Sequence, residues 1–369
     1  MKKVKLLDTF AGIGGFHLGV KQACEELGID FECVGAIEFD KHAQETYRNN
    51  FPNTPLLGQE VGGDITKIDL TKLPEHNLLC GGFPCQPFSQ ARKNKEKTVG
   101  LNAECGDDRA YLYSYLCKIL KIKQPEMFIF ENVPGLLKEK KNNETTLFIE
   151  NIVNDIKQCG YSVQYKVLNS KDYSAPQNRE RVYFVGYRND ISLNKPLILD
   201  HIPKSLNPKF IIDILEDEKN IDKKYYLENL WTKNNKIQQN NPGTKYEALL
   251  KSYNNSKKPH PTTTQHKVVQ TAVILNDTPS NVSRQGERVY SCFGLSPTLT
   301  CTIRTNISLD DKNPVIMRQL TPRECARIQC FPDSFKLPIK DGNSYKQFGN
   351  AVCVNVINQL GQYLLINLL

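Results

Sequence analysis

Four stretches of the chain combine reactive or ligand-holding side chains with surroundings that would fix them in place. Ala11-Gly12-Ile13-Gly14-Gly15 directly follows the apolar run Val4–Phe10. A glycine-rich strand-to-helix turn serves NAD, FAD or S-adenosylmethionine, or simply packs tightly. Glu38, 23 residues after Gly15, strengthens the ligand reading. A carboxylate ending the second strand can accept both hydroxyl hydrogens of an adenosine ribose. Taken by itself, Glu38 is equally well a solvent-facing acid at a strand end. Gly82-Phe83-Pro84-Cys85-Gln86-Pro87-Phe88-Ser89 sets one thiol between two prolines on a loop after a strand. A nucleophile needs such rigid, accessible placement, whereas a lone cysteine is more often structural. Phe130-Glu131-Asn132-Val133 ends another apolar strand. Glu131 could donate a proton to a ring nitrogen beside the thiol, or it could be a salt-bridged strand-end acid. Gln177-Asn178-Arg179-Glu180-Arg181 leads into Val182–Val185. Strand alternation predicts Arg179 and Arg181 on one face, two guanidinium forks able to hold a base oxygen or phosphates. Surface salt bridging would account for the same arginines.

These groups need a frame. Val4–Phe10, the glycine turn, a helix over Phe16–Leu27 stopped by Gly28, and a strand over Phe31–Ile37 make a βαβ unit with its ligand site at the carboxyl edge. Further strands are predicted at Leu78–Cys80, Met127–Phe130, Val163–Leu168 and Val182–Val185, with helical segments between several of them. That alternation argues for a mostly parallel, doubly wound α/β sheet. After Tyr187 the periodicity deteriorates. From Trp231 to Leu309 there are ten Lys plus Arg against three Asp plus Glu, so nearly all of the net charge of +8 sits in that window. Such an excess fits a solvated insertion or a nucleic-acid-facing surface, and charge alone does not choose. Thr321-Pro322-Arg323-Glu324 predicts a capped helix start, and Ala351–Ile366 a closing helix. The 369 residues leave room for two domains, and 39% hydrophobic with 24% charged residues is ordinary globular stock. No apolar run reaches the roughly 18–20 residues of a membrane span. Asp8 interrupts the stretch that a signal peptide would need. The twelve cysteines include no Cys-x-x-Cys pair and the six histidines do not cluster near them, so reduced cytosolic thiols and no metal site are expected.

In order and spacing, these stretches resemble the DNA (cytosine-5)-methyltransferases of bacterial restriction-modification type. Asp8–Phe16 is similar to the first motif of that family, Glu38 to its ribose acid, and Gly63-Asp64-Ile65 to the segment beside the adenine. Gly82–Ser89 resembles the motif of the catalytic cysteine, Asp108-Arg109 to Leu112 the fifth motif, Glu131-Asn132-Val133 the sixth and Gln177–Arg181 the eighth. Arg318-Gln319-Leu320-Thr321-Pro322-Arg323-Glu324 through Pro332 resembles the ninth, and Gln347-Phe348-Gly349-Asn350-Ala351-Val352 the tenth. The likeness runs from residue 4 to about 355. It departs at Thr9 (commonly leucine), Phe39 (often tryptophan), Cys330 (usually glycine) and Ala351 (frequently serine), none of which removes a catalytic group.

The resemblance implies a Rossmann-like, S-adenosylmethionine-dependent methyltransferase domain over residues 1–187 and 345–369. A smaller, irregular target-recognition domain would occupy 188–344, with the DNA cleft between the two and the C-terminal helix beside the first strand. The cofactor would meet Phe10, Ala11, Gly12, Ile13, Gly14, Gly15, Glu38, Phe39, Asp64, Ile65, Pro84, Leu112, Asn350 and Val352. Cys85 would add to C6 of a flipped-out cytosine, Glu131 would hold N3 and the amine, and Arg181, helped by Arg179, would hold O2. Gln86, Ser89 and Thr298, the last in the Thr-Leu element Ser296–Thr300, would face DNA, with Arg284, Arg288 and Arg304 as candidates for guanine or phosphate contacts. The loop Ala91–Lys97 is expected to close over DNA as a lid. The expected partners are double-stranded DNA and a cognate restriction endonuclease without a stable complex, for a cytoplasmic monomer with no membrane contact. A tRNA cytosine methyltransferase and a silent DNA-binding relative are the rival readings. A plain NAD-dependent Rossmann enzyme explains neither the Pro-Cys-Gln loop nor the tenth motif.

Overall fold

The computed structural model describes residues 3–84, 112–138, 148–205, 207–226, 270–273, 288–292, 294–301, 304–309 and 317–368, with backbone alone at 270–273, 288, 289, 291 and 308. The strands in chain order are β1 (Lys3–Thr9), β2 (Asp30–Ile37), β3 (Leu78–Gly82), β4 (Met127–Asn132), β5 (Tyr161–Asn169), β6 (Gln177–Asn178), β7 (Glu180–Arg188), β8 (Gln270–Val273), β9 (Arg288–Ser291), β10 (Ser296–Pro297), β11 (Asn306–Ser308) and β12 (Met317–Gln319). The α-helices are α1 (Gly15–Leu27), α2 (Lys41–Asn50), α3 (Tyr113–Lys123), α4 (Phe148–Gln158), α5 (Pro322–Ile328), α6 (Asp341–Asn350) and α7 (Val354–Leu368). The chain divides into two units. One holds residues 1–169, 180–204 and 351–369, and the other holds 170–179 and 205–350.

The first unit is built on a six-stranded sheet in the order β2-β1-β3-β4-β7-β5. β1 to β4 run parallel, and β7 lies antiparallel between β4 and β5, so the sheet is mixed. β4 is buried at every residue and β3 at all but its last, which is why they read as continuous apolar runs rather than alternating ones. α1 stops where Gly28 turns left-handed and its N–H reaches the Cys24 and Glu25 carbonyls. α2 starts on Asp40, whose Oδ1 accepts the N–H groups of His42 and Ala43 at 2.9 and 3.2 Å.

The C-terminal helix packs along α1. Oε1 of Glu26 accepts from Nδ2 of Asn358 at 2.9 Å, and its Oε2 accepts from Nε2 of Gln362 at 2.6 Å. By length and composition Asp341–Leu368, which holds α6 and α7, could cross a membrane. Its apolar residues are core residues instead: Val354, Val356, Ile357, Leu360, Leu364 and Leu365 are all almost fully buried.

The second unit carries a four-stranded sheet, β12-β11-β9-β8, and the short parallel pair β10-β6. The expected capping box is present at α5: Oγ1 of Thr321 accepts the Glu324 N–H, and Glu324 accepts the Thr321 N–H at 2.8 Å. The units do not divide at residues 187 and 344. Residues 170–179 leave the first unit because β6 pairs with β10, Gln177 opposite Ser296. Residues 188–204 stay with it, tethered to β5 where Gln164 exchanges hydrogen bonds with Leu197 and Leu199 and Lys166 reaches the Leu199 carbonyl at 3.1 Å. Residues 345–350 complete α6 in the second unit.

Candidate active site

Parallel pairing aligns the carboxyl ends of the central strands. Thr9 stands opposite Ile37 and Gly81, and Gly82 opposite Glu131. On this edge the glycine turn folds over β2, the Ala11 N–H donating to the Ile37 carbonyl at 3.0 Å. Glu38 then fastens the turn: Oε2 accepts the Gly12 N–H at 2.8 Å and Oε1 accepts the Asp40 N–H at 2.7 Å. Burial raises the Glu38 pKa from its usual value, although both N–H groups favour the charged form. Phe39 beside it is 68% exposed. Asp64 caps a short turn, accepting from Oγ1 of Thr66 at 2.7 Å and pairing with Lys67 at 3.2 Å. Ile65, Leu112 and Phe10 belong to or pack on the main apolar core. Ala11, Ile13, Gly14, Gly15 and Val352 are buried, Pro84 is half-buried, and Asn350 is exposed at the end of α6.

One pair of charges dominates the sheet edge. Nε of Arg181 lies 3.0 Å from Oε1 of Glu131, with both side chains more than four-fifths buried. Arg181 also donates to the Glu180 carbonyl at 2.7 Å. β6 ends at Asn178 and β7 begins at Glu180, so the two arginines do not lie on one continuous strand as alternation had predicted. Arg179 is 3% exposed, and its terminal nitrogens donate to the carbonyls of Leu299 and Gly349, each at 3.1 Å. Thr298 donates to the Asn178 carbonyl at 2.8 Å. Arg304, exposed, lies 4.8 Å over the Tyr345 ring and donates to Oε1 of Gln319 at 3.0 Å. Arg288 is in β9, and its side chain is outside the described part. Cys85, Gln86, Ser89, the 91–97 loop, Asp108-Arg109, Arg284 and most of the basic window also lie outside the described residues.

The C-5 cytosine-specific DNA methylase family profile matches residues 4–365. This chain belongs to the C-5 cytosine-specific DNA methylases. It is 33% identical over 370 residues to the type II methyltransferase M.NlaX of Neisseria lactamica, covering 97% of this chain and 95% of the relative. It is 32% identical to M.HhaI of Haemophilus parahaemolyticus, covering 99% and 94%. Among solved structures, a Spodoptera frugiperda DNMT2 mutant superposes with a TM-score of 0.65 at 20% identity over 98% of this chain and 99% of the other. Dnmt2 methyltransferase of S. pombe gives 0.65 at 19% identity over 99% and 98%. The last two likenesses speak for the fold, a Rossmann-like methyltransferase. The methylase is a DNA cytosine-5-methyltransferase with S-adenosylmethionine as methyl donor, and its family acts on double-stranded DNA.

The residues of the methylase at the first sheet edge fit that donor. A Cβ added at Gly12 would meet nothing within 4 Å, so the turn borders open space. A carboxylate has about four lone-pair sites, so Glu38 keeps acceptor capacity beyond its two backbone bonds. The exposed Phe39 ring is available to stack.

Three residues near this site received no role of their own from the sequence. Gln44, 5% exposed on the inner face of α2, donates to the Glu38 carbonyl at 2.6 Å and to the Gly62 carbonyl at 3.2 Å. Gly63 fits there because a Cβ would come within 1.9 Å of the Glu38 oxygen. Asn132 donates to the Phe83 carbonyl at 3.3 Å, linking the end of β4 to the strand that leads to Cys85. Asp8 is fully buried in β1. Burial holds its pKa well above the carboxylate range, the His17 backbone N–H offsetting only part of the rise and the Glu38 charge adding to it. An acid inside an apolar strand is itself the signal that could have singled out Asp8.

Proposed function

We propose that this methylase modifies C5 of a cytosine flipped out of a specific short duplex sequence, through a covalent bond from Cys85 to C6. The observation that carries the reading is the Glu131–Arg181 pair, at 3.0 Å, on the strand end beside Gly82. Cytosine C5 is a poor nucleophile. Addition of the Cys85 thiolate to C6 makes it an enamine carbon, and the electron density pushed into the ring needs support at N3 and O2. Glu131 supplies it at N3 and the amine, and Arg181 at O2, in a site where low dielectric strengthens both contacts. The two side chains hold each other before a base arrives, so little reorganisation remains for the reaction itself. S-adenosylmethionine, when bound, supplies an electrophilic methyl group. Glu38 would take its ribose hydroxyls, Phe39 its adenine, and the space over Gly12 its backbone. The sequence ends as C5 loses its proton and the Cys85 thiolate is released. C6 cannot be reached inside a duplex, hence the flipped base.

Resemblance to type II methyltransferases supports a role as the protective partner of a restriction endonuclease, acting as a cytoplasmic monomer. The basic window, Thr298 and Arg304 would face the target. Methyl transfer from labelled S-adenosylmethionine to unmethylated mixed-sequence DNA and to bulk tRNA, with Cys85→Ala alongside, tests the reading. Label in DNA that Cys85→Ala abolishes is expected, and bisulfite sequencing then reads the target. Label in tRNA alone, or transfer that survives Cys85→Ala, would overturn it.

A further inference from the structure

Arg179 has a place of its own in the second unit. Its guanidinium is 3% exposed and joins two backbone carbonyls that lie 120 and 170 residues further along the chain, those of Leu299 and Gly349. Around it, three segments meet. Gln177 and Asn178 pair with Ser296 and Pro297 as parallel strands, and Oγ1 of Thr298 closes that pairing on the Asn178 carbonyl. The Gly349 backbone lies so near the Thr300–Cys301 peptide that an added Cβ would come within 2.4 Å of the Thr300 carbonyl carbon. Nε2 of Gln329 holds the next carbonyl, that of Phe348, at 2.7 Å.

We infer that Arg179 is a positioning residue that clamps the Thr298–Thr300 segment to the Gly349–Asn350 end of α6, and that target binding and cofactor binding are coupled through it. The inference rests on the proposed roles of Thr298 at the target and Asn350 at the cofactor. It assigns Arg179 no contact with the base. A guanidinium buried to this degree and bonded to these two carbonyls acts through the segments it joins. Each segment holds the other, so a ligand that orders one lowers the cost of ordering the second, and the effect is reciprocal.

The test uses the full-length protein and S-adenosylhomocysteine as the cofactor-side probe. Its Kd is measured with and without a duplex carrying the methylation target, and again with a duplex abasic at the target cytosine. In the wild type, DNA should tighten binding of the probe by about fivefold or more on both duplexes. Arg179→Met should bring that ratio close to one on both duplexes while the free-enzyme Kd of the probe changes little. Arg179→Lys, which keeps the charge but loses the fork, should give the same result. Gly349→Ala leaves Arg179 intact and wedges the two segments apart. It should also remove the coupling, which keeps the test decisive if Arg179→Met fails to fold. A loss confined to the cytosine duplex would mean that Arg179 touches the base, and would overturn the clamp. So would coupling that survives Arg179→Met, or a wild type that shows none. A wild type without methyl transfer would instead refute the proposed function.

Discussion

Glu324→Gln should destabilise the second unit severely. In the wild type the Arg318 guanidinium and the Glu324 carboxylate are both fully buried and form two bonds of 2.7 Å. Glu218 adds contacts of 3.0 and 2.7 Å from the rim, but it is 40% exposed and its charge is correspondingly screened. Glu324 also serves the backbone, where its oxygens accept the Thr321 N–H at 2.8 Å and the Glu216 N–H at 3.0 Å. The amide in Glu324→Gln removes the charge and turns one acceptor into a donor facing another donor. Stranding one partner of a buried ion pair costs ~3–5 kcal/mol. At roughly 2–4 °C per kcal/mol for a unit of this size, the melting temperature of the second unit should fall by about 6–20 °C. Arg318→Met should fall in the same range. The double variant Arg318→Met/Glu324→Gln should lose less than the sum, since the stranded charge is gone and the amide oxygen can still serve one backbone N–H. Hydrogen exchange over residues 317–329, read by mass spectrometry beside circular-dichroism melts, separates loss in this unit from loss elsewhere. A Glu324→Gln protein melting within about 2 °C of the wild type, well under the range expected above, with unchanged exchange there, would refute the reasoning.

Glu131→Gln should lower the rate of methyl transfer by about 100–1,000-fold, the usual effect of removing one preorganised polar contact; single-turnover assays at saturating cofactor will check it, and a loss under tenfold would exclude the assigned role. His17 should make the fold acid-sensitive. Burial, with Lys21 adding, lowers its pKa to about 3, and the neutral ring stacks on Phe51 at 3.9 Å and bonds Tyr47 at 2.9 Å. Below its ordinary pKa of about 6.5 the unfolded chain takes up a proton that the fold refuses, so stability should fall by up to ~1.4 kcal/mol per pH unit from there towards about 3. Denaturant titrations at pH 6.5 and 4.5 should show a smaller drop for His17→Gln, and equal drops would count against it. Asp8 acts in the opposite direction. The fold keeps its proton while the unfolded chain loses it above pH ~3.8, so its contribution to stability declines as pH rises. Asp8→Asn should therefore gain on the wild type between pH 4 and 7 in paired thermal melts, and a difference that stays constant over that range would show Asp8 to be charged in the fold.

β3 and β4 were legible because they are short apolar runs ending in glycine or acid. Gly82 and Glu131 then fell opposite each other by parallel register alone, and Glu38 directly follows the end of β2. The start of α5 was legible because a capping box is local chemistry. The carbonyl partners of Arg179 were not, since they are more than a hundred residues away and backbone oxygens have no sequence signature. Gln44 was hidden for a similar reason: its partners are the carbonyls of Glu38 and Gly62, and a glutamine on a short helix reads as solvent-facing. The division of the chain was misplaced because β6 is two residues long, too short for any periodicity to announce a change of unit.

The excursion of residues 170–179 into the second unit bears on any exchange of that unit between relatives. A recombination event that exchanged residues 205–350 as a cassette would leave Gln177, Asn178 and Arg179 behind with the recipient. The incoming segment would have to bring a strand in register with Gln177 and two carbonyls at the right spacing for a guanidinium. Grafts that carry the donor's 170–179 along with 205–350 should therefore fold more often than single-cassette grafts. Their inheritance is thus a matter of two linked segments, and a chimaera library split at both junctions would reveal it in the pairs that survive selection.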